Sequence, residues 1–548
     1  MPAGTVVDET GFEGLRVGDE VVVPALRGAN LQSWAVSLMR PGWLTLGAPG
    51  GDGMAAARML VVSTALWCVT ALSTGQAPVT KDAQARMEKV ISCLPSPVVV
   101  ADDPASACVS LAERMAAFHV PGVSIAVVHN GVIDWAQGFG VREVGGKPVT
   151  AETLFQAGSI SKPVAAMSAL HQLQLGKLGL DTDVNTELTS WKVPASTAAP
   201  GATVTLRELL THTAGFTVHG FPGYAAGDPV PTLLQVLDGE KPANTPAIRL
   251  MSVPGAVWNY SGGGYTVMLQ LVLDVTKEPF PKLMRDTVLG PIGMTHSTYE
   301  QPLPAAMQSD AATPYTANGN AIPGGAHTYP EMTAAGLWTT AGDLARYIIE
   351  NQESLQGKAN HVLSQEMTEQ MMTPGKGNWG LGVEIGGAKD NPYFSHGGVN
   401  EGFEALFVGY EKNGEGAAVM TNAQGGSRLA EEVMRGIAAA YDWPDYRDVH
   451  PKVRTVVKVD PSILAKYVGT YDRTEATPAV KVVVTLEDGR LMMQSTGQDK
   501  SALFAESENK FFLKGEDVEV RFLPNRAGVL RYLEIDRPGN SIIAAKEP

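Results

Sequence analysis

Strand-like runs stand at the two ends of a long helical stretch in this chain, and that order limits its fold more than any other feature. Gly122 to His129 is a continuous apolar run, Asn130-Gly131 is a tight-turn pair, and Val132 to Gly138 returns as the partner strand. The stretch from about 165 to 350 reads as helices and loops. Strands return at Gly380–Ile385, Glu404–Tyr410 and Gly416–Asn422, and a helix from about Ser427 to Tyr441 closes the unit. Strands from both ends with helices between them predict an α+β fold, with one antiparallel sheet assembled from both termini and flanked by a helical region. A cleft is expected between the two parts. Residues 105–118 read as a helix ahead of the first strand, with Leu111, Met115 and Phe118 on one face.

Ser159-Ile160-Ser161-Lys162 follows the first two strands and runs into Pro163–Leu170, a helical pattern. A serine and a lysine three apart at a helix start share one face, so the ammonium can reach the hydroxyl. The serine N–H also lies at the positive end of the helix dipole, where an oxyanion is stabilised. Taken alone, the tetrapeptide is as well explained by a capping serine with a solvated lysine. Its company changes the balance. Trp258-Asn259-Tyr260-Ser261-Gly262-Gly263-Gly264 places a tyrosine in a Gly-rich turn before a helix, and Leu209-Leu210-Thr211-His212-Thr213-Ala214-Gly215-Phe216 precedes it. Phe394-Ser395-His396-Gly397-Gly398-Val399-Asn400-Glu401-Gly402-Phe403 is turn-rich and borders a strand.

In this order the segments, with Gly336–Leu344, resemble the serine hydrolases of the class C β-lactamase, penicillin-binding-protein and family VIII esterase group (the S12 peptidase type), over about Ser110 to Tyr441. The resemblance implies a β-lactamase-like fold and an acyl-enzyme mechanism without cofactor or metal. Ser159 would be the nucleophile, and Lys162 and Tyr260 would share the acid–base work, with the holder of the proton left open. A positive Lys162 would lower the phenol pKa and make Tyr260 the base. The oxyanion hole would use the N–H groups of Ser159 and, by carry-over, Val399. His396, Gly397, Gly398 and Gly262 would line the substrate site. Gly262 stands where the group usually has Asn, and His396 where β-lactamases commonly have Lys. Both changes remove groups that recognise a penicillin-like ligand, since histidine is largely neutral at pH 7. The expected activity is therefore hydrolysis of another ester or a peptide-like amide. The alternatives are a true β-lactamase or D,D-peptidase, and a catalytically silent binding or scaffold protein of the same fold. His212 reads as structural, and His327 and Glu331 belong to a loop near the cleft without an assigned role.

The rest of the chain fixes the setting. With 548 residues, 44% hydrophobic and 18% charged, it is long enough for two or more domains. A net charge of −15 without a basic cluster points away from nucleic acid as a partner, and diffuse acidity mainly favours solubility; a small-molecule or peptide-like substrate is what the resemblance implies. Met54–Arg58 followed by the apolar run Met59–Ala71 and the small residues Ser73–Ala77 reads as a signal peptide over 54–77, too short in its apolar part to span a bilayer comfortably. That implies a bacterial exported protein, periplasmic or secreted, without a stable membrane span after cleavage. Residues 1–53 then read as a disordered extension outside the native protein, with Met54 as the start. Cys93 and Cys108 can close the loop between them, worth about 3 kcal/mol in the chain-entropy model, or remain two thiols. The hydrolase domain is expected over 78–445 and a linker over 446–459. Close-set strands over 460–548, around the Asp488-Gly489 turn, read as a small antiparallel β-barrel that resembles a lipocalin-like module. The oligomeric state is not encoded in any pattern recognised here.

Overall fold

In the computed structural model of the protein, the described residues are 80–443, 446, 451–473, 480–496, 500–537 and 540–547, with three short strands at Thr5–Val7, Glu13–Val17 and Glu20–Val22. Residues 54–77, read above as a signal peptide, and the remainder of 1–53 lie outside them.

The larger part is built on a six-stranded antiparallel sheet. Its strands are β1 (Gly122–His129), β2 (Val132–Gly140), β3 (Glu384–Ala388), β4 (Asn391–Asn400), β5 (Phe403–Tyr410) and β6 (Gly416–Thr421), in the spatial order β3-β4-β5-β6-β1-β2. β1 pairs with β6 in register Val127↔Ala417 and Ile125↔Val419. This pairing joins the two ends of the segment and makes the sheet that the strand order predicts. β1 is apolar throughout because both its faces are covered. Ala126 and Val128 face one core, with Ala405, Phe407, Ala418 and Met420, while Val123, Ile125 and Val127 face the other, with Leu406, Val408 and Val419. Burying each valine, leucine, isoleucine, phenylalanine or methionine among these contributes about 1.5–3 kcal/mol.

The first core is formed with α3 (Ser161–Gln174), α4 (Gly262–Thr276), the short helix α5 (Met332–Ala335) and α6 (Ala341–Leu355). The second is formed with α1 (Lys81–Ser92), α2 (Leu111–Ala117) and α7 (Gly426–Ala440). α3 is buried on nearly every side, which its Val, Ala, Met and Leu run permits.

Three local expectations change. Residues 105–118 are not one helix: Pro104–Ala107 is a 3-10 turn, Cys108–Val109 pairs with Leu94–Pro95, and α2 begins only after Ser110. Cys93 and Cys108 are joined in a disulfide, which ties that strand pair, and Ser110 with Glu113 forms a capping box that starts the helix. The strand expected at Gly380–Ile385 starts at Glu384, because the Gly380 N–H turns back onto the Val383 carbonyl at 2.8 Å. The turn-rich segment 394–403 is largely strand β4, held along its length by β5 from Tyr393↔Tyr410 to Asn400↔Phe403.

The C-terminal part is a nine-stranded antiparallel sheet: β7 (Gly469–Arg473), β8 (Val480–Glu487), β9 (Arg490–Ser495), β10 (Ser501–Ala502), β11 (Phe504–Ala505), β12 (Lys510–Phe512), β13 (Glu519–Pro524), β14 (Leu530–Arg537) and β15 (Asn540–Lys546). Its order is β10-β9-β8-β7-β15-β14-β13-β12-β11. The two edge strands are neighbours in sequence, separated only by Leu503, so the sheet curls into a nearly closed barrel around Tyr471, Val520, Phe522 and Leu533. The connecting stretch carries a strand of its own, Lys452–Arg454, parallel to Val98–Val100. Among the described residues no helix is long and apolar enough to cross a membrane.

Candidate active site

The site forms where the start of α3 meets the edge of the sheet. Phe155–Gln156 pairs with Trp338–Thr339, and the Ala157 N–H donates to Leu337 O at 2.9 Å. The chain then makes a 3-10 turn over Gly158–Ile160 and enters α3 at Ser161. The two serines of the tetrapeptide separate in role here. Ser161 is locked: its hydroxyl donates to Gly158 O at 2.6 Å and accepts from the Leu337 N–H at 2.9 Å, and its carbonyl accepts from Tyr299 Oη at 2.7 Å. Ser159 is half-buried and keeps its hydroxyl for the cleft. No side chain caps this helix start, so the positive end of its dipole remains available.

Lys162 lies one turn on. Its Nζ donates to Ser159 Oγ at 2.9 Å and to Ala334 O, in α5, at 2.9 Å. The side chain is fully buried and has no carboxylate partner. Burial alone pushes its pKa down to about 7. Tyr260 stands just ahead of α4. Its hydroxyl lies close enough to the Ser159 side chain for that contact to act downward on its pKa. Its ring centroid lies 5.0 Å from Lys162 Nζ. Burial raises the phenol pKa, and the Ser159 contact only partly offsets this. The expectation that Lys162 would depress the phenol is thereby reversed: desolvation dominates both groups, keeping the tyrosine protonated and making the lysine easy to deprotonate.

Tyr260 is fixed by His212. The Ser261 N–H donates to His212 Nδ1 at 3.1 Å and the Asn259 N–H donates to His212 O at 2.8 Å. The imidazole lies against the phenol ring with centroids 4.1 Å apart. Burial first, then the charge of Lys162, hold its pKa well below the usual value, so it packs as a neutral ring.

β4 supplies the opposite wall. β3 pairs with it only from Asn391 to Ser395, so the main chain from His396 to Asn400 has no strand on that side and meets the Gly158 turn instead. The approach is close enough to exclude side chains. A Cβ on Gly398 would fall 1.9 Å from Ala157 O, and one on Gly158, at φ +51°, would fall 2.4 Å from Val399 N. The main chains carrying the N–H groups of Ser159 and Val399 are thus in direct contact. Gln156 and Asn400 brace the seam. Asn400 Nδ2 donates to Gln156 Oε1 at 2.9 Å and to Ala335 O at 3.0 Å, and Gln156 Nε2 donates to His327 O at 2.7 Å.

His396 is buried, with Nδ1 at 2.5 Å from Gly397 O and its ring 6.2 Å from that of Tyr260. Burial and the neighbouring Lys162 charge push its pKa down to about 3, so it presents a neutral imidazole. Gly397 is exposed beside it. Gly262 departs from expectation. It is buried in the first turn of α4, its N–H donates to His219 O at 3.0 Å, and a side chain there would meet the Phe221 ring at 2.9 Å, so it has no donor left for a ligand. His327 contributes its carbonyl to the Gln156 brace, and Glu331 is fully buried with its carboxyl pushed up to about 8 by burial.

Sequence reasoning missed the Ala334 carbonyl, the brace of Gln156 and Asn400, and the indole of Trp379, which packs 5.8 Å from Tyr260 and 5.4 Å from His396. A lone alanine or tryptophan carries no motif. Only the position of Ala334 just ahead of Gly336–Leu344 hinted at the first. Among the described residues no group of three or more His, Cys, Asp or Glu is arranged to hold a metal ion.

Comparison with known proteins agrees with this geometry. Residues 110–442, more than half of the chain, match the Beta-lactamase family model, and residues 453–541 match a Domain of unknown function (DUF3471). The chain is similar to the "Putative penicillin-binding protein PbpX" of Bacillus subtilis, 29% identical over 321 residues that cover 56% of this chain and 71% of that protein. It is also similar to Penicillin-binding protein 4* of the same organism, 23% identical over 452 residues covering 75% and 92%. Among solved structures, the octameric penicillin-binding protein homologue from Pyrococcus abyssi aligns with a TM-score of 0.54 at 21% identity, over 79% of this chain and 98% of that one, a likeness of fold.

Proposed function

Because the chain belongs to the Beta-lactamase family of penicillin-binding-protein-like serine hydrolases, we propose that it cleaves an ester or peptide-like amide through an acyl-enzyme on Ser159. The observation that carries this reading is the Ser159 hydroxyl accepting from a buried lysine amine at 2.9 Å, with the Tyr260 ring 5.0 Å from that same amine. Neutral Lys162 takes the Ser159 proton as Oγ attacks the scissile carbonyl. The resulting oxyanion accepts hydrogen bonds from the N–H groups of Ser159 and Val399. Tyr260, a neutral phenol, donates its proton to the departing oxygen or nitrogen and is reprotonated from Lys162. Water then attacks the ester on Ser159. Its proton passes to the Lys162–Tyr260 pair, Ser159 recovers its own, and the acid is released.

Two features favour a substrate other than a penicillin. His396 offers a neutral ring where a fixed cation would hold a carboxylate, and the Gly262 position offers no amide. The second reading is a true β-lactamase or D,D-peptidase, since the relatives are named penicillin-binding proteins. Export, with the mature chain in the periplasm or secreted, belongs to the same proposal and rests on the signal-like segment 54–77.

A substrate panel tests the choice. Nitrocefin, short p-nitrophenyl esters and D-amino-acid amides are compared by kcat/KM with the purified protein. The expected result is turnover of an ester or amide well above that of nitrocefin. Nitrocefin hydrolysis exceeding both would make the protein a β-lactamase.

A further inference from the structure

Beside Tyr260 the protein exposes an unusual amount of apolar surface. Within one short loop, Met251 is 57% exposed, Val253 53%, Val257 51% and Trp258 37%. Single exposed apolar residues are ordinary, but four on one loop next to a reactive centre form a patch of the kind that marks a binding surface. The loop is not loose. The Met251 N–H donates to Gly215 O at 2.8 Å and the Gly255 N–H to Thr213 O at 2.8 Å. The Ala256 N–H closes a turn on Val253 O at 3.1 Å. Lys376 Nζ reaches across to the carbonyls of Gly255 and Ala256.

The patch continues into the site. The Trp258 ring lies 5.6 Å from that of Trp379, and Trp379 lies 5.8 Å from Tyr260 and 5.4 Å from His396. Trp258 is backed by main chain, since a Cβ on Gly377 would fall 2.7 Å from its ring. An indole supported in this way is a fixed platform rather than a mobile side chain. At the inner end of the wall the Trp379 Nε1–H is buried and has no hydrogen-bond partner among the described residues, so it is one donor held in reserve. Val399, 60% exposed, adds an apolar side chain at the sheet edge next to the oxyanion N–H.

We infer that this wall, from Trp379 through Trp258 to Val257, Val253 and Met251, binds an apolar chain of the substrate beside the scissile bond. The inference rests on the acyl-enzyme reading and adds the substrate class: esters or amides carrying an alkyl or aryl chain, on either the acyl or the leaving-group side. A rigid apolar wall with one inner donor orients such a chain without the fixed charge that a carboxylate-bearing substrate requires.

The test measures kcat/KM for two ester series, p-nitrophenyl acetate to octanoate and methyl to octyl acetate, with the wild type, Val257→Ser, Trp258→Phe and Trp258→Ala. A wall that covers one side of the chain should raise kcat/KM by about twofold per methylene in one series, half the logarithmic effect of full burial. The series that rises identifies the side that carries the chain. Trp258→Ala and Val257→Ser should flatten the rise. Trp258→Phe should keep most of it. Flat series with measurable acetate turnover overturn this inference and leave the acyl-enzyme reading standing, as does a rise that the variants do not alter. No turnover of any ester overturns the inference, and together with no fluorophosphonate label on Ser159 it overturns the acyl-enzyme reading as well. A change of oligomeric state in the variants without a kinetic change would assign the patch to a protein partner and also overturn the inference.

Discussion

Ser159→Ala lowers kcat/KM for p-nitrophenyl butyrate by about 10⁴-fold or more, the scale on which loss of the nucleophile acts in serine hydrolases. Its thermal unfolding should stay close to that of the wild type. Both expectations come from the same geometry. Ser161, not Ser159, carries the bonds that hold the turn together, to Gly158 O, the Leu337 N–H and Tyr299 Oη. Ser159 is half-buried, and its hydroxyl accepts from Lys162 Nζ, the group placed to take its proton. Removing Oγ deletes the attacking atom and leaves the frame. The reciprocal change, Ser161→Ala, removes two buried hydrogen bonds and acts on stability. Loss of activity in Ser159→Ala together with a large drop in melting temperature would mean that the frame, rather than the nucleophile, had been removed.

Tyr260→Phe has the second largest effect. It removes the proton donor to the leaving group while leaving the ring against His212, so kcat should fall by about 10²–10⁴-fold. The pH profile separates its role from that of Lys162. With Lys162 pushed down to about 7, the amine is protonated and unable to accept a proton below that pH, and it becomes competent above it. Activity therefore rises through a limb near pH 7 to a plateau. Tyr260→Phe should lower the plateau and keep the limb. The same shift has a stability consequence of definite sign. Between the folded value near 7 and the ordinary lysine value the unfolded chain binds the extra proton, so this group's contribution makes the protein more stable as pH rises across that window. A limb that disappeared with the phenol would assign it to Tyr260 and reverse the two roles.

Parts of the fold that depend on local chemistry were readable from the sequence. β1 spans Gly122–His129 as its apolar run suggests, with Asn130 and Gly131 at φ 53° and 76° in the turn that follows. The Asp488-Gly489 turn of the barrel behaves alike, at φ 47° and 77°. What failed was imposed from a distance. The glycines of His396-Gly397-Gly398 look like turn residues, yet they lie in a strand held by β5, and the Ala157 main chain crowds Gly398 from the other side. The small size of Gly398 serves that close approach, not flexibility. The helix expected at 105–118 is cut where Cys108–Val109 pairs as a strand with Leu94–Pro95 beside the Cys93–Cys108 disulfide, a constraint that spacing alone left open. At the site, the serine, lysine and tyrosine were legible as residue types at fixed positions along the chain. The direction of the two pKa shifts was not, because it is set by desolvation, which depends on the surrounding packing and not on spacing. Trp379 and Ala334 act through where the fold places an indole and a carbonyl, and neither residue type announces that role.

The central claim is that Ser159 forms a covalent acyl-type adduct. Its most direct test is intact-protein and peptide mass spectrometry after reaction with a fluorophosphonate. The account predicts one phosphonyl group per chain, located on the peptide that carries Ser159 and absent in Ser159→Ala. An unlabelled wild-type protein, or a label that persists on the Ser159→Ala variant, would contradict it.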